Sequence, residues 1–328
     1  MGIMVSSNFP ELLTQDLYEW YFEAYDNEET IYDRIAEIVP VDTGDGTKGT
    51  EVIGVSKLKE VPDGQEIPLT EPAEGYTWHI RFKTFKDQIA VTDDMIADMK
   101  EGKLNSDLME FARGWGEGVR NTEEEAVSAL FNKGALTAGD GETFNGSFTN
   151  NDDPYPKHIY DGKPFFGTGA TYGHPFKLKP TVKLNNLTES LEISYANVQT
   201  VFSAMTVTNA LNERGERIKI EPNVIITNPK NRFQLDQIVQ SQYEIDKYGN
   251  KNVLEGMFDL VYWRYIEDED AWFMGKAKKG IKFYDRLPAK ITVYRDEKTD
   301  TWFAKIKRRF GVGVVQWRYW YGCNLSTS

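Results

Sequence analysis

Residues able to do chemistry are few in this chain, and they are scattered. The nearest thing to a motif is Gly167-Thr-Gly169-Ala-Thr-Tyr-Gly173, which almost spells a dinucleotide fingerprint. Its third glycine comes one place late, and His174-Pro175 follows where the fingerprint needs a helix N-terminus to meet the pyrophosphate. The chain has no phosphate-binding GxxxxGKS/T, no HExxH and no GxSxG. Its three histidines, His79, His158 and His174, stand far apart and lack partners at metal-ligand spacing. The acidic run at 150–153 (NNDD) lacks the ligand spacing of a calcium loop and reads as a solvated turn. Acids are numerous enough to supply a glycosidase pair, yet nothing selects any two of them. The sequence therefore predicts no catalytic residue, no metal ligand and no cofactor: the chain reads as something other than an enzyme.

What these residues would have to be mounted on is more informative. A length of 328 residues suggests two domains, and an aromatic share of 13% can fill a substantial core. No apolar run approaches the roughly 18 residues that a membrane helix requires, and no signal peptide is visible at the N-terminus. The single Cys323 excludes an intramolecular disulfide framework and fits a reducing compartment. A net charge of −13 argues against a protein that grips nucleic acid, which needs cations to displace counterions from phosphate. Merely enclosing DNA is compatible with it.

That charge is unevenly placed. Residues 1–74 carry 17 acidic and 4 basic side chains, whereas residues 271–328 carry 4 acidic and 13 basic ones. The two ends either pair within one subunit or meet between subunits, head to tail. Complementary fields of the second kind set register and encounter rate.

Along the chain, residues 11–38 read as an acidic arm with helical pieces, carrying Leu12, Leu13, Leu17, Trp20, Tyr21 and Tyr25 at three-to-four spacing. Residues 41–92 read as a long β-hairpin with limbs 50–61 and 76–85. In the second limb Tyr76, Trp78, Ile80 and Phe82 alternate with Thr77, His79, Arg81 and Lys83, the period of a half-buried strand. The connection 62–75 is too long and proline-rich for a tight turn. A lone ribbon is marginal in water, so its aromatic face needs a surface in its own subunit or in another.

The clearest helix is 104–133, with Leu104, Leu108, Phe111, Trp115 and Val119 on one stripe. Gly114, Gly116 and Gly118 interrupt it, each unfavourable by about 1 kcal/mol against alanine. They allow either close approach of another backbone or a bend. Asn121 or Thr122 before Glu123, Glu124 and Glu125 also looks like a helix start, where the helix breaks and resumes. Further on, the pattern predicts helices at 187–211 and 231–243 and a strand at 219–227. Strand-like runs follow at 257–265, 271–275 and 281–284, and strongly β segments between 290 and 321. Helices and strands mix without regular alternation, which favours an α+β fold.

From Asp161 onward DGKPFFGTGATYGHPF (161–176) comes first; then NERGERIKIEPNVIITNP (212–229), FQLDQIVQS, and NVLEGMFDLVYWRYIEDEDAWFMG (252–275) with its tryptophans. This order of features is similar to the major head subunit family of tailed phages related to the phage Mu head protein. GTGATYG separates the FF from the HPF more widely than that family's pattern. The resemblance implies an HK97-type capsid fold: an N-terminal arm at 1–40, an extended loop at 41–92, and a peripheral domain at 93–185 and 286–328. Its spine helix would be 104–133 and its axial domain 186–285. It implies a shell subunit that assembles through pentamers and hexamers into an icosahedral head around phage DNA, in a host cytoplasm.

Contact residues between copies would then include Tyr76, Trp78, Ile80, Phe82, Arg81 and Lys83 on the ribbon, and Glu66 and Glu71 on its tip. Lys305, Lys307 and Arg309 would lie opposite, and Gly114, Gly116 and Gly118 would let the helix straighten as the shell expands. Expected partners are further copies, a portal protein, a separate scaffold and decoration proteins, with no membrane. The alternatives are an encapsulin-like compartment of the same fold and a carbohydrate-active β protein.

Overall fold

The computed structural model describes residues 9–53, 57–58, 60–67, 69, 71–92, 101–135, 147–148, 159–243 and 250–325. His158, the acidic run at 150–153 and the side chains of Leu12, Leu13 and Leu104 lie outside the described residues. Two sheets share one long helix. The first sheet has the order β1 (Glu37–Pro40), β12 (Ile281–Asp296), β13 (Thr301–Val314), β4 (Lys83–Thr92). Its centre is the β12–β13 hairpin, with β1 parallel on one side and β4 antiparallel on the other.

Alternation along β12 and β13 decides which face is covered. Ile291, Ala304 and Ile306 point inward and pack against Leu17 and Tyr21 of α1 (Phe9–Asn27) and Leu108, Ala112 and Trp115 of α3 (Glu101–Asn132). Lys305 and Lys307 point outward. The exposed edge of β12 is closed by α1: the Tyr18 hydroxyl accepts from Ile291 N at 2.8 Å and donates to Ile291 O at 3.1 Å. A side chain thus takes the place of a neighbouring strand, which keeps this edge from recruiting another chain.

The second sheet has the order β10 (Asp259–Tyr262), β9 (Val224–Thr227), β11 (Trp272–Gly275), β14 (Trp320–Cys323), β8 (Leu187–Thr188). Its inner strands are buried on both faces. Ile225, Trp272, Met274 and Cys323 face a core made with α4 (Tyr195–Ser203) and α5 (Arg232–Val239). Val224, Ile226, Phe273 and Trp320 face a larger core that receives the end of α3. There the Phe131 ring meets Phe273, Trp320 and Trp263 edge-on at 5.0, 5.2 and 5.8 Å, the favoured geometry for aromatic pairs.

A smaller ribbon pairs β2 (Gly46–Ile53) with β3 (Ala73–Arg81), and β5 (Ser147–Phe148) joins β3. The limb expected over 76–85 is therefore split. Chain direction changes at Phe82, whose N–H bonds Asp45 O at 2.8 Å, and residues 83–92 leave the ribbon for the first sheet. The expected domain boundary at 286 falls inside β12, and β14 returns the chain to the second sheet. The helix expected over 187–211 begins only after Ser194, whose hydroxyl caps Asn197 N, because Leu187 is held in the sheet beside Gly322. The strand expected over 219–227 is only Val224–Thr227; Pro222, without an N–H, cannot extend the ladder.

Candidate functional site

Shape, more than chemistry, is what this subunit offers, and a buried charge network holds the shape. Helix α3 runs unbroken through 121–125, so the expected restart there is not found. The acids that suggested it turn inward. Glu123, fully buried, accepts from Arg308 Nε at 2.8 Å and Nη2 at 2.7 Å, and from the Tyr32 and Tyr25 hydroxyls at 3.0 and 3.3 Å. Arg308 also donates to Asp285 and to Leu287 O. Burial acts to lower the Arg308 pKa, but the Glu123 and Asp285 carboxylates outweigh it and hold the guanidinium above its usual range.

Glu124 caps α2 (Tyr32–Ile35) from a distance, accepting from Ile31 N at 2.5 Å and Tyr32 N at 3.3 Å, and from Trp263 Nε1 at 2.7 Å. Burial raises its pKa against those hydrogen bonds. Tyr25, desolvated and beside Glu123, is pushed up to about 12. Two neighbouring carboxylates thus tie the arm, the central helix and both sheets together. In sequence they look like the acids of a helix start, and only the distant Arg308 and Trp263 show otherwise.

The aromatic loop is a second internal joint. His174 Nδ1 lies 2.6 Å from Asp161, Nε2 lies 3.1 Å from Asn186 Oδ1, and the ring stacks on Trp317 at 4.1 Å. Asn186 is oriented by donating to Phe165 O and Trp320 O. The DGKPFF and HPF pieces are therefore two halves of one packed corner. Among the described residues, no group of three or more His, Cys, Asp or Glu could hold a metal ion, and no helix is long and apolar enough to cross a membrane.

The residues expected at contacts between copies are distributed unequally. Ile80 and Phe82 are buried at 0 and 7% exposure against Tyr284 and Val39 of their own subunit. Tyr76 and Trp78 are half-buried there, with the Tyr76 hydroxyl on Pro175 O. Of the two surfaces left open for this face, its own subunit supplies one: Trp78, Ile80 and Phe82 pack at the β1–β12 corner, and Tyr76 against Tyr160. Arg81 is exposed and Lys83 half-buried. Glu66 and Glu71 are exposed at the tip, beside Leu58, Ile67 and Leu69 at 100, 81 and 88% exposure. Two contacts tack the tip's limbs to the turn at 212–216: Lys57 N donates to Glu216 at 2.9 Å, and Arg214 Nη2 donates to Glu71 O at 2.9 Å.

Lys305 and Lys307 are exposed and Arg309 half-buried on the outer face of the first sheet. Register adds two residues that the sequence did not reveal. Lys307 stands directly opposite Lys290 on one side and Lys86 on the other, so three lysines cross the sheet in a row. Like charges directly opposite one another are destabilising. Among the described residues, no carboxylate is within ion-pair reach of Lys86, Lys290, Lys305, Lys307 or Arg309. Of the acidic end, among the described residues, Glu23, Glu28 and Glu37 pair with Arg113, Arg264 and Lys282, and Glu51 accepts from Gln316 at 3.0 Å near Arg318, so Glu37 and Glu51 reach the basic end within the subunit.

The three helix glycines also differ. A Cβ at Gly116 would stand 2.7 Å from Tyr21 O and 2.8 Å from Tyr25 N, so this glycine lets α1 and α3 approach backbone to backbone. Gly114 and Gly118 are exposed, and a Cβ on either would meet nothing within 4 Å. They line a groove of about 310 Å³ between α3 and the edge of β4, with Phe85, Trp115, Val119 and Ile306.

Comparison with known proteins agrees with this architecture. The capsid of the cyanophage P-SCSP1u is similar over 92% of this chain and 89% of that one, with a TM-score of 0.56 at 11% identity. The mature capsid of bacteriophage PhiM1 is similar with a TM-score of 0.54 at 10% identity, covering 91% of this chain and 88% of that one. A structure from Mycobacterium phage Patience gives 0.52 at 12% identity, covering 100% and 90%. At these identities the likeness is one of fold, and the fold is the α+β, HK97 type. No curated protein matches the sequence. The family model described as phage capsid protein matches residues 77–322. This chain belongs to the phage capsid protein family, and is a structural, non-enzymatic component of a virion.

Proposed function

We propose that this chain is the major subunit of the head, that copies associate through five- and six-membered rings, and that these rings close an icosahedral shell around phage DNA. Heterologous contacts of this kind close when the rotation between copies allows it. The order of features from Asp161 onward supports placement with the Mu-type head subunits, assembled in the host cytoplasm with a portal, a separate scaffold and decoration proteins. The phage capsid match does not favour the compartment alternative or the carbohydrate-active one. Residues 1–40 act as the arm, the ribbon with its tip as the extended loop, and the two sheets as peripheral and axial domains.

One observation carries the reading: among the described residues of a single subunit, no carboxylate pairs with the lysine row on the first sheet, while Glu66 and Glu71 stand exposed on a tip with bare apolar side chains. Each surface supplies what the other lacks, in a second copy. The test is charge reversal at Lys305, Lys307 and Arg309. Assembly at low salt, followed by light scattering, is expected to fall steeply. Subunit stability should change by no more than about 0.5 kcal/mol per site, as at other surface positions, since reversal also removes the lysine–lysine repulsion. Equal loss of assembly and stability would mean that these charges pair within the subunit.

A further inference from the structure

We infer that Glu51 is a proton-operated latch between the ribbon and the body of its own subunit: neutral, it holds β2 and β3 down against residues 316–318; ionised, it lets them lift. The inference uses contacts within one copy and does not depend on how copies associate. On β2 the side chains of Lys48, Thr50 and Val52 are exposed, and Glu51, between the last two, turns the other way, towards the body. A bulge aids this. The register slips between Thr50 and Val52, with Thr50 opposite Thr77 and Val52 opposite Glu74, so β3 carries one extra residue there. Bulges re-aim side chains. Gly75 leaves the room: a Cβ at that position would stand 2.9 Å from both the Glu51 Cβ and its backbone oxygen.

What Glu51 meets is a buried cation that is already matched. Arg318, 2% exposed, donates to Glu213 at 2.6 Å, to Leu211 O at 2.8 Å and to Gln316 Oε1 at 3.0 Å. Glu213 is equally buried. Glu51 reaches this pair through Gln316, whose amide nitrogen donates to it at 3.0 Å and whose Oε1 also accepts from the Tyr160 hydroxyl. One guanidinium therefore serves two carboxyl groups, and Glu51 is the one without a direct ion pair among the described residues. Burial raises the Glu51 pKa and Glu213 adds to this, while Arg318 and the Gln316 hydrogen bond pull it back. Around the site also stand Tyr76, with Lys177 over its ring, and Tyr160, with Asp161 and His174 behind it. A carboxyl raised in this way contributes its full docking strength below the ordinary carboxylate range. That contribution is lost as pH rises through the raised value. Neutral Glu51 still accepts from Gln316 and leaves no second carboxylate to desolvate.

Hydrogen exchange of the full-length chain, read by mass spectrometry at about pH 5 and pH 8 and corrected for the intrinsic rate, tests the latch. Wild-type amides of 46–53 and 73–81 are expected to lose protection at the higher pH, while those of Val224–Thr227 keep theirs. Glu51→Gln retains the acceptor and removes the charge. It should abolish the pH difference and give the ribbon, at the higher pH, the protection that the wild type shows in acid. A wild-type ribbon whose protection does not fall with rising pH overturns the inference by itself, even where the variant fails to fold. So does a Glu51→Gln ribbon that keeps the wild-type pH dependence, because another group then drives it. A variant ribbon that exchanges faster than wild type at both pH values overturns it too, since ionised Glu51 is then a stabilising partner of Arg318.

Discussion

Glu123→Ala is expected to destabilise the subunit by about 3–5 kcal/mol, the range for removing one partner of a buried ion pair. The loss is this large because the remaining groups stay where they are. Arg308 is 5% exposed and keeps only Asp285 and Leu287 O. The Tyr32 hydroxyl keeps only a weak contact with Arg120, at 3.3 Å. Tyr25 and Tyr32 belong to the arm, so it should also become the first segment cut by protease. Urea denaturation followed by tryptophan fluorescence measures the stability term. A combined Glu123→Leu and Arg308→Met variant should recover part of the loss, since the buried guanidinium is gone and the Asp285 left behind is 31% exposed to water. A loss below about 1 kcal/mol for Glu123→Ala would mean that water reaches the site.

The helix glycines should respond with opposite signs. Gly116→Ala places a methyl against backbone atoms of α1, which cannot swing aside as a side chain does. Overpacking of this kind is worth about 1–3 kcal/mol, more than the alanine's helix preference returns. Gly114→Ala and Gly118→Ala meet nothing and should each stabilise by about 0.5–1 kcal/mol. Thermal unfolding of the three variants separates them. A common response, whatever its sign, would show that the helix behaves as one flexible unit, as the bend reading supposes, with no contact point at Gly116.

What the sequence revealed depended on how local the signal was. Alternation from Tyr76 to Phe82 is a period-two pattern and was legible. What covers that face was not, because Tyr284 lies some 200 residues away and nothing local marks the change of direction at Phe82. The charge asymmetry between the two ends was visible as a sum. That Lys86, Lys290 and Lys307 align in one row emerges only from register, which pairs three separated strands. Glu123 and Glu124 misled because an acidic run after Asn121-Thr122 is the usual mark of a helix start. Their burial is decided by Arg308, 185 residues on, and by Trp263. The DGKPFF and HPF pieces are visible in the sequence, but what joins them is the Asp161–His174–Asn186 corner, whose members are individually unremarkable.

The central claim is that one copy of this polypeptide leaves surfaces that only further copies complete. Negative-stain electron microscopy of the purified wild-type chain, concentrated at low salt, tests it most directly. Closed particles of uniform diameter with five- and six-fold clusters are the expected result. A homogeneous population of lone subunits under the same conditions would contradict it.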